Sequence, residues 1–130
     1  MSSVFSRIVA GEIPCYKIAE NEKFLAFLDV SPLVKGHTLV IPKEEIDYLF
    51  DMDDTLLSEM IVFSKKVANA IKISIPCIKV GVSVIGLEVP HAHIHLIPMN
   101  SVSEMNFSKS KLSLSSDEMI SIAAIIKAKI

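Results

Sequence analysis

Residues 89–98 read Val-Pro-His-Ala-His-Ile-His-Leu-Ile-Pro, and the reading of this stretch organises the rest of the chain. Of the 4 histidines in the sequence, His91, His93 and His95 fall here at alternate positions. Random scatter would place three that way with a chance on the order of one in a thousand, counted over possible placements. Alternate residues of a strand share a face. The spacing predicts a strand over 91–97, bracketed by Pro90 and Pro98, with three imidazoles on one face. Ala92, Ile94 and Leu96 turn the other way, into the core. No packing requirement calls for three imidazoles in a row, so the spacing is a strong signal.

Working outward, Lys35-Gly36 turns the chain into His37-Thr-Leu-Val-Ile41, a β-branched run closed by Pro42. Residues 15–20 and 23–29 read as strands around a turn at Glu20-Asn21-Glu22, and 78–84 as a further strand. Val4, Phe5, Ile8 and Val9 recur at helical spacing after Ser2-Ser3, with Gly11 placed to end the turn. From Asp53 to about Ile73 the period changes: Leu56, Met60, Phe63, Val67, Ala70 and Ile71 form a helical stripe, with Asp53 and Asp54 at its N-terminus. A last helix starts near Ser115, where Ser-x-x-Glu spacing reaches Glu118. The order α-β-β-β-α-β-β-α implies an α+β domain. Its five-stranded, mainly antiparallel sheet has a long central helix and short terminal helices, and the helices are expected on one side.

The chain has 130 residues, which suits one domain over 1–130 and is short for two. Its 13 Lys+Arg against 15 Asp+Glu argue against a nucleic-acid-binding surface. The apolar runs are too short for a membrane span, and the opening Met1-Ser-Ser-Val-Phe-Ser-Arg lacks a signal-peptide core; a cytoplasmic location is expected. Cys15 and Cys77 have no motif spacing and read as buried, reduced thiols. A content of 51% apolar residues exceeds what so small a core needs, so part of it is expected to be covered by a partner.

Three readings of the histidine run compete. It could be a polar strand face of hydrogen-bonding imidazoles. It could be a zinc site, although no carboxylate or Cys stands at ligand spacing. It could also be a nucleophile whose neighbours fix its tautomer: imidazole titrates near 6.5, so the neutral form is abundant at pH 7.

The segment resembles the signature of the histidine triad family, His-x-His-x-His followed by two apolar residues. Phe5-Ser-Arg-Ile8, Gly11-Glu-Ile-Pro14, Phe24-Leu-Ala-Phe-Leu-Asp29, Ser31-Pro32 and Lys35-Gly-His-Thr-Leu-Val-Ile-Pro42 extend the likeness in order and spacing over roughly residues 3–98. Residues 99–130 have no such counterpart; they read as a loop and helix, with Lys109-Ser-Lys111 a solvated basic patch.

The resemblance implies a purine nucleotide hydrolase or nucleotidyl transferase acting at an α-phosphate, without cofactor, as a homodimer, and not on nucleic acid or membrane. His93 would be the nucleophile, His95 a phosphate contact, His91 an orienting partner, and His37 the family's fourth histidine. Asp29 would accept hydrogen bonds from ribose hydroxyls, and Phe5, Ile8, Phe27, Leu28 and Val30 would line the base pocket. Gly86-Leu87-Glu88 resembles the phosphate loop. Relatives usually carry Gln where Leu87 stands and a further amide earlier, and Ser83 is the candidate substitute. The substrate class implied is nucleoside phosphoramidates, with dinucleoside polyphosphates, or slow nucleotide binding, as alternatives. Bacterial-type relatives often hold a structural zinc on Cys-x-x-Cys and a later His. Here Ser3, Ser6 and Glu45 occupy those positions, so no zinc is expected.

Overall fold

The computed structural model describes residues 2–130. Five strands form one antiparallel sheet: β1 (Lys17–Glu20), β2 (Phe24–Leu28), β3 (Thr38–Pro42), β4 (Lys79–Ser83) and β5 (Ile94–Met99), in spatial order β1-β2-β3-β5-β4. Three helices complete the α+β fold: α1 (Val4–Val9), α2 (Asp54–Ser74) and α3 (Ser116–Lys127). Each begins on a side-chain cap. Ser3 accepts from Ser6 N–H, Asp53 from Leu56 N–H, and Ser115 from Glu118 N–H, with the Glu118 carboxylate accepting from Ser115 in return. Asn21 makes the first hairpin turn by accepting from the N–H groups of Lys23 and Phe24.

Strand alternation divides the core in two. Phe24, Ala26, Leu28, Val40, Ile94 and Leu96 face α2 and α3, where Met60, Val67, Ile71, Ile122 and Ile126 meet them. Leu25, Phe27, Leu39 and Ile41 face the opposite way and pack with Phe5 of α1. The helices are therefore not all on one side. The six residues of α1 are too few to stand alone in water and dock on the face left bare by the two longer helices.

The strand expected over 91–97 starts later, at Ile94, and runs to Met99. His91 and His93 precede it, because β3 offers β5 partners only from Val40 opposite Ile94 to Thr38 opposite Leu96. Pro98 is tolerated inside β5 because β3 has already turned away there, leaving only β4 alongside. At that turn Gly36 has φ +93, and a Cβ would lie 2.9 Å from Ile75 Cγ1, so the Lys35-Gly36 turn needs glycine. Among the described residues no helix is long and apolar enough to cross a membrane.

Candidate active site

All four histidines are buried, none more than 7% exposed. Three of them, His37, His93 and His95, line one side of a cavity of about 580 Å³ on the α1 face of the sheet. β3 and β5 bring His95 opposite Leu39. The loop entering β5 delivers His93, and the turn before β3 delivers His37. The His93 and His95 rings stand 4.9 Å apart at 62°, and the edge of Phe5 meets His93 at 5.0 Å.

Hydrogen-bond partners fix the tautomer of each ring. Leu33 N–H donates to His37 Nδ1 at 3.0 Å, so the His37 proton is on Nε2, which donates to His95 Nδ1 at 2.9 Å. His95 then carries its proton on Nε2. His93 is the reverse: its Nδ1–H donates to the His91 carbonyl oxygen at 2.8 Å, leaving Nε2 with a free lone pair. Two adjacent imidazoles thus present opposite chemistry, a bare nitrogen on His93 and an N–H on His95. His91 donates from Nε2 to the Pro42 carbonyl oxygen at 2.8 Å and accepts at Nδ1 from the Ser3 hydroxyl at 2.8 Å.

Burial favours the neutral form of His37, His91 and His95. Desolvation, with neighbouring imidazoles adding to it, lowers His37 to about 3 and His95 to about 4. Desolvation also lowers His91, against the pull of the Pro42 carbonyl and Glu45. The unfolded chain binds protons on these side chains near pH 6.5 and the folded chain does not, so stability is full above about 6.5 and falls as pH drops toward the folded values. Between pH 7 and pH 5 the loss should be on the order of 2 kcal/mol for each of His37 and His95. Denaturant midpoints at the two pH values check this, and equal midpoints would contradict it. The carboxylates of Glu20 and Glu45, held at about 2 by hydrogen bonds from Lys17 and from Ser3, add their own losses only below their ordinary range.

The rest of the cavity is mostly apolar. Phe5, Ile8, Phe27 and Val30 line it, and Leu28 borders it while its side chain packs in the α2/α3 core. Asp29 also faces it; burial raises the Asp29 carboxyl, and its Oδ1 accepts from Ser31 N–H at 2.8 Å. Gly86, with φ +69, and Leu87 and Glu88 form part of the cavity rim. Leu87 is 89% exposed and brings no polar side chain to that rim.

Two expected site residues lie elsewhere. Ser83 sits opposite His95 in the β4–β5 register but outside the cavity lining. His91 is also outside it, behind His93, where it meets α1 and the end of β3.

Several lining residues were not expected, among them Phe107, Lys111 and Cys15. Phe107 stacks edge-on against His95 at 4.8 Å, and Lys111 brings the only cationic side chain among the described lining residues. The segment is anchored where Leu112 N–H donates to the Pro32 carbonyl oxygen, and Lys111 Nζ donates to the Phe107 carbonyl oxygen. Lys111 is thus exposed in an irregular segment, as the sequence leads one to expect, and also borders the cavity. Cys15 lines the cavity too; both cysteines are free, as expected, but half-buried rather than buried.

Asp29, His37 and His95 present ligand atoms within 4.8 Å of one another, a spacing that could hold a metal ion. The facing ring nitrogens of His37 and His95 are, however, bonded to each other, so an ion would have to break the relay.

An open antiparallel sheet with a buried imidazole cluster at an apolar cavity is the architecture of a histidine-triad protein. The chain belongs to that family: the HIT domain model matches residues 10–102. It is 39% identical over 99 residues, 75% of this chain and 74% of the relative, to the adenosine 5'-monophosphoramidase hnt1 of Schizosaccharomyces pombe. Among solved structures it resembles a Hit-like protein from Bartonella henselae, described as involved in cell-cycle regulation and bound to an unknown ligand. That likeness has TM-score 0.86 and 28% identity, and covers 99% of this chain and 96% of that one. It also resembles a zinc-bound histidine triad family protein from Mycobacterium smegmatis, with TM-score 0.81, 29% identity, and 99% and 93% coverage.

The residues around His91 do not fit zinc. Ser3 and Ser6 offer neutral hydroxyls where zinc takes thiolate, imidazole or carboxylate. The Glu45 Oε1 atom accepts from Ser3 N–H and the Ser6 hydroxyl, both at 2.6 Å, and both His91 nitrogens already have partners.

Proposed function

We propose that this protein hydrolyses nucleoside phosphoramidates or related nucleoside monophosphate conjugates at the α-phosphate, through a nucleotidyl-His93 intermediate. The observation that carries the reading is the opposed tautomer pair, with a bare His93 Nε2 beside a His95 N–H at the end of an apolar cavity. A phosphoryl centre between them meets a nucleophile and a hydrogen-bond donor at once. The His93 Nε2–phosphorus bond forms as the bond from phosphorus to the leaving amine breaks, and the amine nitrogen takes up a proton from solvent. His95 Nε2–H donates to a phosphoryl oxygen as charge builds there. Water then attacks phosphorus and releases a proton to solvent, the bond to His93 breaks, and the nucleoside monophosphate leaves with the lone pair of Nε2 restored.

The other expected contributors have fitting places. The Asp29 carboxylate at the cavity wall suits ribose hydroxyls, and the aromatic and aliphatic wall around Phe5 and Phe27 suits a purine. Gly86 bends the rim so that backbone N–H groups can approach an anion. His91 acts through its carbonyl oxygen and makes no contact with substrate. The name borne by the fission-yeast relative supports the phosphoramidate class over dinucleoside polyphosphates.

Exposed apolar side chains on edge strand β4 and on α2, among them Val82, Ile61 and Val62, support a homodimer built on those elements. Sedimentation should give twice 14.3 kDa; a monomer would leave that apolar surface unexplained.

The reaction is tested by mixing the protein with an adenosine phosphoramidate, quenching at alkaline pH and reading intact mass. A gain of one adenylyl group on a peptide containing His93 is expected. Tight mononucleotide binding with no adduct and no turnover, on phosphoramidates and dinucleoside polyphosphates alike, would identify a binding protein instead.

A further inference from the structure

The cluster beneath α1 ties the surface to His93 through a series of hydrogen bonds that pass by way of Ser3 and His91. Exposed Glu45, three residues beyond β3, receives Ser3 N–H and the Ser6 hydroxyl on one oxygen. Ser3, only 6% exposed, accepts Ser6 N–H at 3.0 Å as the cap of α1 and donates its hydroxyl proton to His91 Nδ1. The far side of the His91 ring is fastened to Pro42, and Ala92 N–H donates to the Ile46 carbonyl oxygen at 2.7 Å. The His91 carbonyl oxygen, held in place by these contacts, receives His93 Nδ1–H.

We propose that Glu45, Ser3 and Ser6 are positioning residues: with His91 they form a hydrogen-bonded clamp that fixes α1 and the orientation of His93, doing without metal what a zinc ion could do by cross-linking the same elements. The assignment deepens the proposed reaction and rests on it for the role of His93, while the clamp itself rests on geometry alone.

The clamp has a specific mechanical task. α1 has six residues and no intrinsic stability, yet its Phe5 supplies the ring edge that packs against His93 and, at 5.8 Å, against His91. With Glu45 removed, Ser3 N–H and the Ser6 hydroxyl lose their shared acceptor, the cap loosens, and the His93 ring gains freedom about an orientation that in-line attack requires. Misplacement of a reacting group by about 1 Å can cost on the order of a hundredfold in rate. An exposed carboxylate more than one residue removed from the chemistry should cost less, about tenfold.

The test compares Glu45→Ala, Glu45→Gln and Ser3→Ala with wild type in a rapid-quench burst experiment on a nucleoside phosphoramidate, alongside thermal melts and 15N NMR of the His93 ring. Glu45→Ala should slow adduct formation about tenfold. The adduct amplitude and the nucleotide Kd should stay unchanged, and the His93 Nδ1–H signature should give way to a mixture of tautomers. Glu45→Gln, whose amide oxygen can still accept both donors, should restore most of the rate, and Ser3→Ala should behave like Glu45→Ala. Added zinc or chelator should change nothing in the wild type.

A wild-type burst rate in Glu45→Ala would overturn the clamp. So would a loss confined to amplitude in proportion to lost folded protein, or stoichiometric zinc that accelerates the wild type. If wild type forms no adduct, the proposed reaction fails; the clamp then still stands or falls on whether Glu45→Ala changes the His93 tautomer.

Discussion

His93→Ala should abolish the nucleotidyl adduct and lower kcat by about a thousandfold or more, with mononucleotide affinity changed little. The reason lies in what remains. Alanine leaves the His37–His95 relay, Asp29 and the apolar walls in place, because His93 bonds only to the His91 carbonyl oxygen and otherwise packs against Phe5 and His95. Ground-state binding therefore survives while the covalent route is lost. Water attacking directly would have to enter the space vacated by imidazole without a general base, since the nearest ring, His95, holds its proton toward the site and its bare nitrogen toward His37. Multiple-turnover kinetics with a binding titration on the same sample check this. A variant within tenfold of wild-type kcat would remove His93 from the chemistry, whatever the adduct experiment showed.

The parts of this site visible in the sequence are those set by local spacing. Three alternate histidines announced a shared face, and His95, Ile94 and Leu96 obey the strand period in the structure. Asp53, Ser115 and the Lys35-Gly36 turn marked their elements because caps and turns are written in a few adjacent residues. The strand reading failed for His91 and His93, which precede β5, although both still turn to the α1 side while Ala92 joins the opposite core. Where β3 stops pairing is a long-range fact with no local signature. The same holds for the side of the sheet that α1 occupies: its apolar positions show that it buries a face, not which one. Phe107 and Lys111 were hidden for a related reason. They reach the site through a single anchor, Leu112 N–H on the Pro32 carbonyl oxygen, 80 positions away in the chain. An aromatic residue soon after the triad strand, followed by a lysine four positions on, was the only available hint.

The second large effect concerns the relay behind His95. His37→Leu should lower kcat about a hundredfold, because leucine cannot donate to His95 Nδ1. Without that donor the His95 proton is free to move to Nδ1, and the ring then turns a lone pair, not an N–H, toward a phosphoryl oxygen carrying negative charge. Electrostatic assistance becomes repulsion at the atom where charge develops. The substitution also strands Leu33 N–H, buried and bonded only to His37 Nδ1, at a stability cost of about 1–3 kcal/mol. Lost stability and lost catalysis separate in His37→Gln, whose amide can donate to His95 with its NH2 and accept from Leu33 with its oxygen. It should recover most of the stability and a good part of the rate. The tautomer itself is readable: 15N shifts of the His95 ring should place the proton on Nε2 in wild type and His37→Gln, and on both nitrogens in His37→Leu. A His37→Leu protein with wild-type kcat, or one whose His95 stays protonated on Nε2 while kcat still collapses, would show that His37 does not act by fixing that proton.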